Sequence, residues 1–394
     1  MSAQPPSMTT AERKLSLAAI LSSAFGIGIA IGFSIPLISL FMERLGYGNT
    51  VIGMNAATAA LSVLVCGPWV ASLASRLGTV TTLLLGNALA ATGLVAFAFF
   101  TAAGPLFVLR ALIGFGAALG WIVTETWISL LPSERWRGRV IALYAILFSL
   151  GVSMGPVMLN LVGSHGARPF LVCAGLLIAS GIPAVMVYRH APPIGEKNQR
   201  VRIRYALRLA PVGVMTGLLC GIAEQSLLGL LSLWGLGIGL STSNAVFLTT
   251  LFAVGGVVLM LPVGWLSDRA DRFNLLIGVV VLGTLCTAAL PLLAGSEAAL
   301  FTVVLALGGA VAAFYVLGLT LIGETSTTRN ADLVSLNTVF IMAYTVGMVI
   351  GPVAAGGGMD IWPPHGLMMV LTGLFAVFIP AAYWFRRRLA LSYA

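Results

Sequence analysis

Apolar residues along this chain do not alternate with polar ones. They arrive in long blocks broken only by short polar connectors. The blocks lie near 15–42, 51–74, 80–100, 105–130, 139–160, 169–188, 211–235, 243–266, 273–294, 299–322, 333–356 and 366–385. Runs of roughly 20 apolar residues have the length of a bilayer-spanning helix. A membrane barrel would instead show alternating segments of about ten residues. In lipid the backbone must satisfy its own hydrogen bonds, and helices do so within each segment. The pattern therefore predicts an all-α, polytopic membrane protein of twelve transmembrane helices. An even number of spans puts both ends on one side.

Composition sharpens this picture. Of 394 residues only 8% are charged and 59% are hydrophobic, with a mean hydropathy of +1.03. Soluble domains carry about 25% charged residues, so most of this surface must face a lipid bilayer. The net charge of +9 suggests nucleic acid at first sight. Its placement says otherwise. Eighteen of the 21 Lys and Arg residues fall on the side of the amino terminus, Arg44 and Arg168 fall opposite, and Arg110 lies within a span. That asymmetry follows the positive-inside rule, places both termini in the cytoplasm and argues against a nucleic-acid partner. Met1 to Lys14 reads as the polar lead of an uncleaved first helix. Cys66, Cys173, Cys220 and Cys286 sit in apolar runs without a CxxC pair and read as small buried hydrophobes. No P-loop and no HExxH pattern occurs, so neither nucleotide hydrolysis by that loop nor that zinc site is expected. No metal or cofactor is implied. LGYGN at Leu45 to Asn49 reads as a turn.

The longest hydrophilic stretch is RHAPPIGEKNQRVRIRYALR, from Arg189 to Arg208. It divides the chain into a first six-helix bundle (1–188), a cytoplasmic linker (189–210) and a second six-helix bundle (211–394). The halves repeat. ALYAILFSLGVSMGP ends at Pro156 and NTVFIMAYTVGMVIGP at Pro352. Gly151 and Gly347, Gly155 and Gly351, and the two prolines all differ by 196 residues. Leu119-Gly120…Glu125 and Leu317-Gly318…Glu324 echo each other at a slightly different offset. Repeated six-helix halves are the architecture of many secondary carriers, whose substrate site lies near the midplane.

Several motifs resemble those of the major facilitator superfamily. GWLSDRADR, from Gly264 to Arg272, is similar to that family's loop signature G-x-L-x-D-R-x-G-R, with Asp271 in place of glycine. The first-half copy, ALASRLG, keeps Arg76 but has Ser75 where aspartate is expected. Asp268 beside Arg269 and Arg272 suits a charge-assisted latch between helices, or a cluster that merely ends the helix. LRALIG, with Arg110 and Gly114, resembles the family's span-four motif, and Gly151-x-x-x-Gly155-Pro156 resembles the motif of its proton-coupled antiporters. TETWIS in span four and LWGLGIGLS after span seven are similar to YcaD-like bacterial carriers. The resemblance implies pseudo-symmetric six-helix bundles, transport and no enzymatic activity. It also implies a bacterial inner membrane. Glycines permit close helix approach, and proline bends a helix, so the paired motifs are candidate gates.

Only Glu125 and Glu224 fall within the predicted spans. Glu224 is about midway along the seventh, beside Gln225. A carboxyl there is expensive unless hydrated, paired or protonated, which suits it to carry protons or to hold a neutral structural bond. Glu125 lies near the inner end of span four and can instead pair with Arg135, Arg137 or Arg139. Arg110 faces either a wet cavity or snorkels outward. Trp121, Asn55, Asn337 and Tyr344 are further cavity candidates, with Trp127, Trp234 and Tyr315 behind them. Each can equally pack between helices. The expectation is a monomeric secondary transporter that moves a small-molecule organic substrate by alternating access, coupled to protons and running as an exporter. A facilitator or importer is the alternative, and a non-transporting sensor or lipid-handling protein is the alternative of another class.

Overall fold

In the computed structural model the described residues are 9–131, 134–192, 203–329 and 333–391. Twelve helices among them are long and apolar enough to cross a membrane. They are α1 (Thr10–Arg44), α2 (Asn49–Leu77), α3 (Thr79–Phe97), α4 (Ala103–Leu130), α5 (Glu134–Val162) and α6 (Arg168–Ser180, resuming as Ile182–Met186). The second set is α7 (Pro211–Gly237), α8 (Thr242–Ser267), α9 (Arg272–Ala289), α10 (Glu297–Arg329), α11 (Leu333–Ile361) and α12 (Gly366–Leu391). The all-α, twelve-span reading holds. Large apolar side chains such as Leu161, Leu292 and Val377 are mostly exposed. In water such a surface would be an aggregation liability; a bilayer covers it.

The helices outrun the apolar blocks. Helix α10 continues past the predicted end at 322 to Arg329, and α11 past 356 to Ile361. Hydropathy marks the hydrocarbon limit, whereas backbone hydrogen bonding continues into the interfacial turns. Glu12, Glu43, Glu134, Glu297, Glu324 and Asp360 are therefore helical residues as well, lying beyond the apolar blocks that hold Glu125 and Glu224. The connectors explain where helices stop. Gly46 has φ +83 in the α1–α2 turn, a left-handed conformation that costs glycine nothing. Ser241 caps α8 by accepting from Asn244 N at 3.2 Å, and Asp271 caps α9 by accepting from Asn274 N at 2.7 Å.

The chain forms two compact units. One comprises Met1–Leu37 with Leu61–Asn198, the other Ile38–Ala60 with Gln199–Ala394. In the first, α3 and α4 pack through Gly86 and Gly116, where an added Cβ would run into the facing backbone, with Ala90 against Gly116. Val80, Leu83, Leu119, Val123, Trp127 and Ile128 fill the core beside them. Helix α5 crosses α1 at Gly151 and Gly155, against Phe25, Gly28 and Gly32. In the second, α11 crosses α7 at Gly347 and Gly351, against Leu218, Gly221 and Ile222. So the repeated glycines make the same type of contact twice. Small residues allow this approach where no hydrophobic effect drives helices together.

Part of the stretch read as a solvated linker is also helix. Ile203–Leu209 forms two turns. Its Ala206 is fully buried with Ile322, Leu336 and Phe340 of α10 and α11, while Arg204 and Arg208 point to solvent. The small alanine face at 206 and 210 lets a basic segment lie flat on the bundle. Residues 193–202, including Lys197, lie outside the described residues.

These contacts make a stability prediction. Gly155→Leu drives a side chain into the backbone of Gly32 and Phe33, and overpacking of this kind costs about 1–3 kcal/mol or more. Gly175, with open space around its would-be Cβ, tolerates leucine within about 0.5 kcal/mol. Thermal melting of the purified variants distinguishes the two. Equal melting temperatures would contradict the tight crossing.

Candidate functional site

Glu224 sits in the middle of α7, a helix buried along most of its length. The residue itself is half-buried. Three residues earlier, Gly221 lets α11 come so close that a Cβ would strike the carbonyl of Tyr344. That approach brings the Tyr344 side chain within reach. Its hydroxyl donates to Glu224 Oε2 at 2.9 Å. Cys220, one turn back, points its thiol at the same oxygen at 3.9 Å and at the Val311 carbonyl of α10 at 3.6 Å. The ring of Tyr315, also from α10, stands edge-on to Tyr344 with centroids 5.6 Å apart and to Phe340 at 5.3 Å. The carboxyl is thus bordered by three helices and held by one strong donor.

The first unit repeats the scaffold without the chemistry. There Gly28 meets the Phe148 carbonyl as Gly221 meets that of Tyr344. Phe148 and Tyr344 are 196 residues apart, the same spacing as the glycine motifs. Trp121 of α4 stacks on Phe148 at 6.4 Å, and Phe148 stacks on Tyr144 at 6.2 Å. Tyr315, Tyr344 and Phe340 stand at the corresponding positions, but there Tyr315 is the ring that touches both others, edge-on rather than stacked. Three residues past Gly28, where Glu224 follows Gly221, stands Ile31. An isoleucine and a phenylalanine replace the acid and the tyrosine.

The other predicted residues fall as follows. Gln225 is buried beside Glu224, and Asn337 is half-buried on α11, two turns from Tyr344 on the same face. Asn55 is buried in α2 within the second unit. Trp121 is half-buried, whereas Trp127 and Trp234 are fully buried. Glu125 is exposed near the end of α4. Of its expected partners, the side chains of Arg135 and Arg137 lie outside the described residues, and Arg139 lies over the Trp136 ring at 4.9 Å. Arg110 is 3% exposed, and its Nε has no hydrogen-bond partner among the described residues. Its guanidinium is buried, with no snorkelling to the surface.

At the α8–α9 connector the helix-to-helix ties run from Asp271 and Arg272. Arg272 pairs with Glu324 of α10 at 3.6 Å, and Asp271 with Arg386 of α12 at 3.5 Å. Asp268 is exposed at the end of α8, and Arg269 lies 3.8 Å over the Trp265 ring. The residue that departs from the family pattern, Asp271, therefore both caps α9 and ties it to α12. Arg76 is exposed at the end of α2.

Sequence reasoning missed the partnership of Cys220 and the aromatic pairs. The signal was present, because the 196-residue offset that aligns the glycines also aligns Phe148 with Tyr344.

A twelve-helix membrane bundle with repeated halves, paired glycine crossings and one acid deep in a span is the build of a secondary carrier. The chain belongs to the Major Facilitator Superfamily, whose family profile matches residues 20–338 and 216–392. Among its relatives is the uncharacterized MFS-type transporter YfkF of Bacillus subtilis (strain 168). It is 26% identical over 359 residues, covering 88% of this chain and 89% of that protein. The uncharacterized MFS-type transporter YcaD of Escherichia fergusonii is 25% identical over 340 residues, covering 84% and 86%. Of solved structures, the nucleoside transporter NupG superposes with a TM-score of 0.74 at 12% identity, covering 94% of this chain and 98% of that one. A bacterial homolog of the human lysosomal transporter Spinster, in an inward-facing and unoccupied conformation, gives 0.74 at 12%, covering 96% and 97%. At such identities the likeness shows the fold. The protein is a multi-pass membrane transporter of that superfamily.

The burial of Arg110 predicts a separation of stability from function. A buried charge without a counter-ion is costly, and apolar replacement of buried ionic groups is often neutral or stabilising by about 1–4 kcal/mol. Arg110→Met is expected to melt at the same temperature as the parent or higher. A lower melting temperature would assign the guanidinium a structural partner.

Proposed function

We propose that this transporter moves a small organic solute by alternating access, coupled to protons, with Glu224 as the proton-carrying group. The observation that carries this reading is the break in symmetry. Two copies of one helix crossing are built with the same glycine spacing and with aromatic rings at corresponding positions. Among the described residues, only the second copy holds a carboxyl at this place, and there a hydroxyl reaches across to meet it. Packing alone is served by Ile31 and Phe148 in the first copy, so packing does not require Glu224 and Tyr344 in the second.

A carboxyl in a membrane span changes its proton occupancy when its access to water changes. Tyr344 supplies a donor that steadies the ionised form, and the alternation of exposure converts that occupancy into transport. The outward direction rests on the likeness of Gly151, Gly155 and Pro156 to the antiporter motif. The first unit's candidate for binding the solute is Arg110, with Trp121 about three turns further along α4.

The first step of the test is a thermal-shift screen of the purified protein against amphiphilic drugs, sugars, amino acids and lysolipids. Ligands that bind only the folded state raise the melting temperature. A stabilising compound is then added to proteoliposomes that contain a pH-sensitive dye and an imposed gradient. Solute-dependent proton flux is expected, falling at least about tenfold in Glu224→Gln, as for loss of an essential proton-transfer group. Tyr344→Phe is expected to fall between the two. Solute movement that ignores the gradient, or flux unchanged in Glu224→Gln, removes the coupling role.

A further inference from the structure

Residues 38–60 come before the linker, yet they pack with the second unit. Two helix ends make this contact. Helix α2 begins at Asn49, and α11 ends at Ile361. The start of a helix leaves its first N–H groups without intrahelical acceptors. Here Asp360 supplies them from a position 310 residues away. Its Oδ1 accepts from Asn49 N and Nδ2, each at 2.9 Å. Its Oδ2 accepts from Thr50 N at 2.8 Å and from Thr50 Oγ1 at 2.6 Å.

The placement of this acid is informative. Asp360 lies in the last turn of its own helix, where the helix dipole disfavours an anion. Its benefit therefore falls wholly on α2, whose positive end it caps. The backbones around it are shaped to allow this. Gly48 leaves room beside Oδ2, Gly53 abuts the Pro352 carbonyl, and Gly356 abuts the Asn49 carbonyl. Among the described residues, both carboxylate oxygens are engaged by α2 alone.

We infer that Asp360 is a latch residue that holds one face of the transporter shut by clasping the start of α2 against the end of α11. Helix α2 belongs to the first sequence repeat and α11 to the second. Any motion that parts the repeats at this end must release four hydrogen bonds to one carboxylate. The charge asymmetry of the connectors puts the α1–α2 and α11–α12 turns opposite the termini, so the latch acts at the external face. The inference rests on the alternating-access reading only in that the repeats must part. It does not depend on the solute, the coupling ion or Glu224.

Its test is a distance measurement on the full chain in nanodiscs, with the four native cysteines replaced. Spin labels are attached at Glu43→Cys on α1 and at Trp362→Cys just beyond α11, both exposed positions. A short distance dominates in the parent. Asp360→Asn keeps the side-chain volume but loses the charge, and the separated population is expected to rise about two- to fivefold, the range for loss of an anion at an exposed helix start. Thr50→Val removes a single donor and is expected to shift the population in the same direction by less. An unchanged distribution in a folded Asp360→Asn protein overturns the latch. If that variant does not fold, Thr50→Val decides alone, and no shift there overturns it. Because the readout involves no transport, a failed proton-flux assay and a failed latch are told apart.

Discussion

The structure depends on helices approaching until their backbones touch. In water, apolar side chains pull helices together. In lipid that pull is absent, and association comes from dispersion contacts, interhelical hydrogen bonds and close fit. Here the fit is made by glycine. Helix α5 lies against α1, and α11 against α7, at distances that leave no space for a methyl group. The consequence reaches beyond packing. Only because Gly221 admits the Tyr344 backbone does the tyrosine hydroxyl arrive at Glu224.

A duplicated scaffold is a natural control for itself. Wherever both copies keep the same residue type, geometry suffices as an explanation. Wherever they diverge at one crossing, the difference marks what geometry does not require. The crossing glycines and the helix prolines are of the first kind. Glu224 opposite Ile31 and Tyr344 opposite Phe148 are of the second. The connectors diverge too. The second copy carries Asp271 and Arg272, each in an ion pair with another helix, while the first has Gly78 and Thr79 at those two places.

Much of the fold was legible from hydropathy, because span length is fixed by bilayer thickness and each block supplies its own backbone hydrogen bonds. Glu224 was legible for the same reason, as an acid where acids are costly. The helix ends were not legible, since the turns beyond the hydrocarbon are polar and read as loop. Asp360 was lost there, counted with the connector. Its partners, Asn49 and Thr50, are ordinary helix-start residues, and no local pattern pairs them with an acid some 300 positions downstream. The burial of Ala206 was hidden by its arginine neighbours. The environment of Arg110 could not be read either, because one sequence does not say whether a guanidinium snorkels or stays inside.

Cys220 gives the protein a native optical probe. Its thiol points at the Glu224 oxygen and at a backbone carbonyl. The infrared stretch of an S–H bond falls in a spectral window empty of other protein bands, and its frequency follows the strength of its acceptor. Cys173, buried and directed at the Ala30 carbonyl at 3.4 Å, offers a reference thiol with an uncharged acceptor. Difference spectra between the parent and Glu224→Gln then isolate, from the four thiol bands of the chain, the part that follows this one carboxyl.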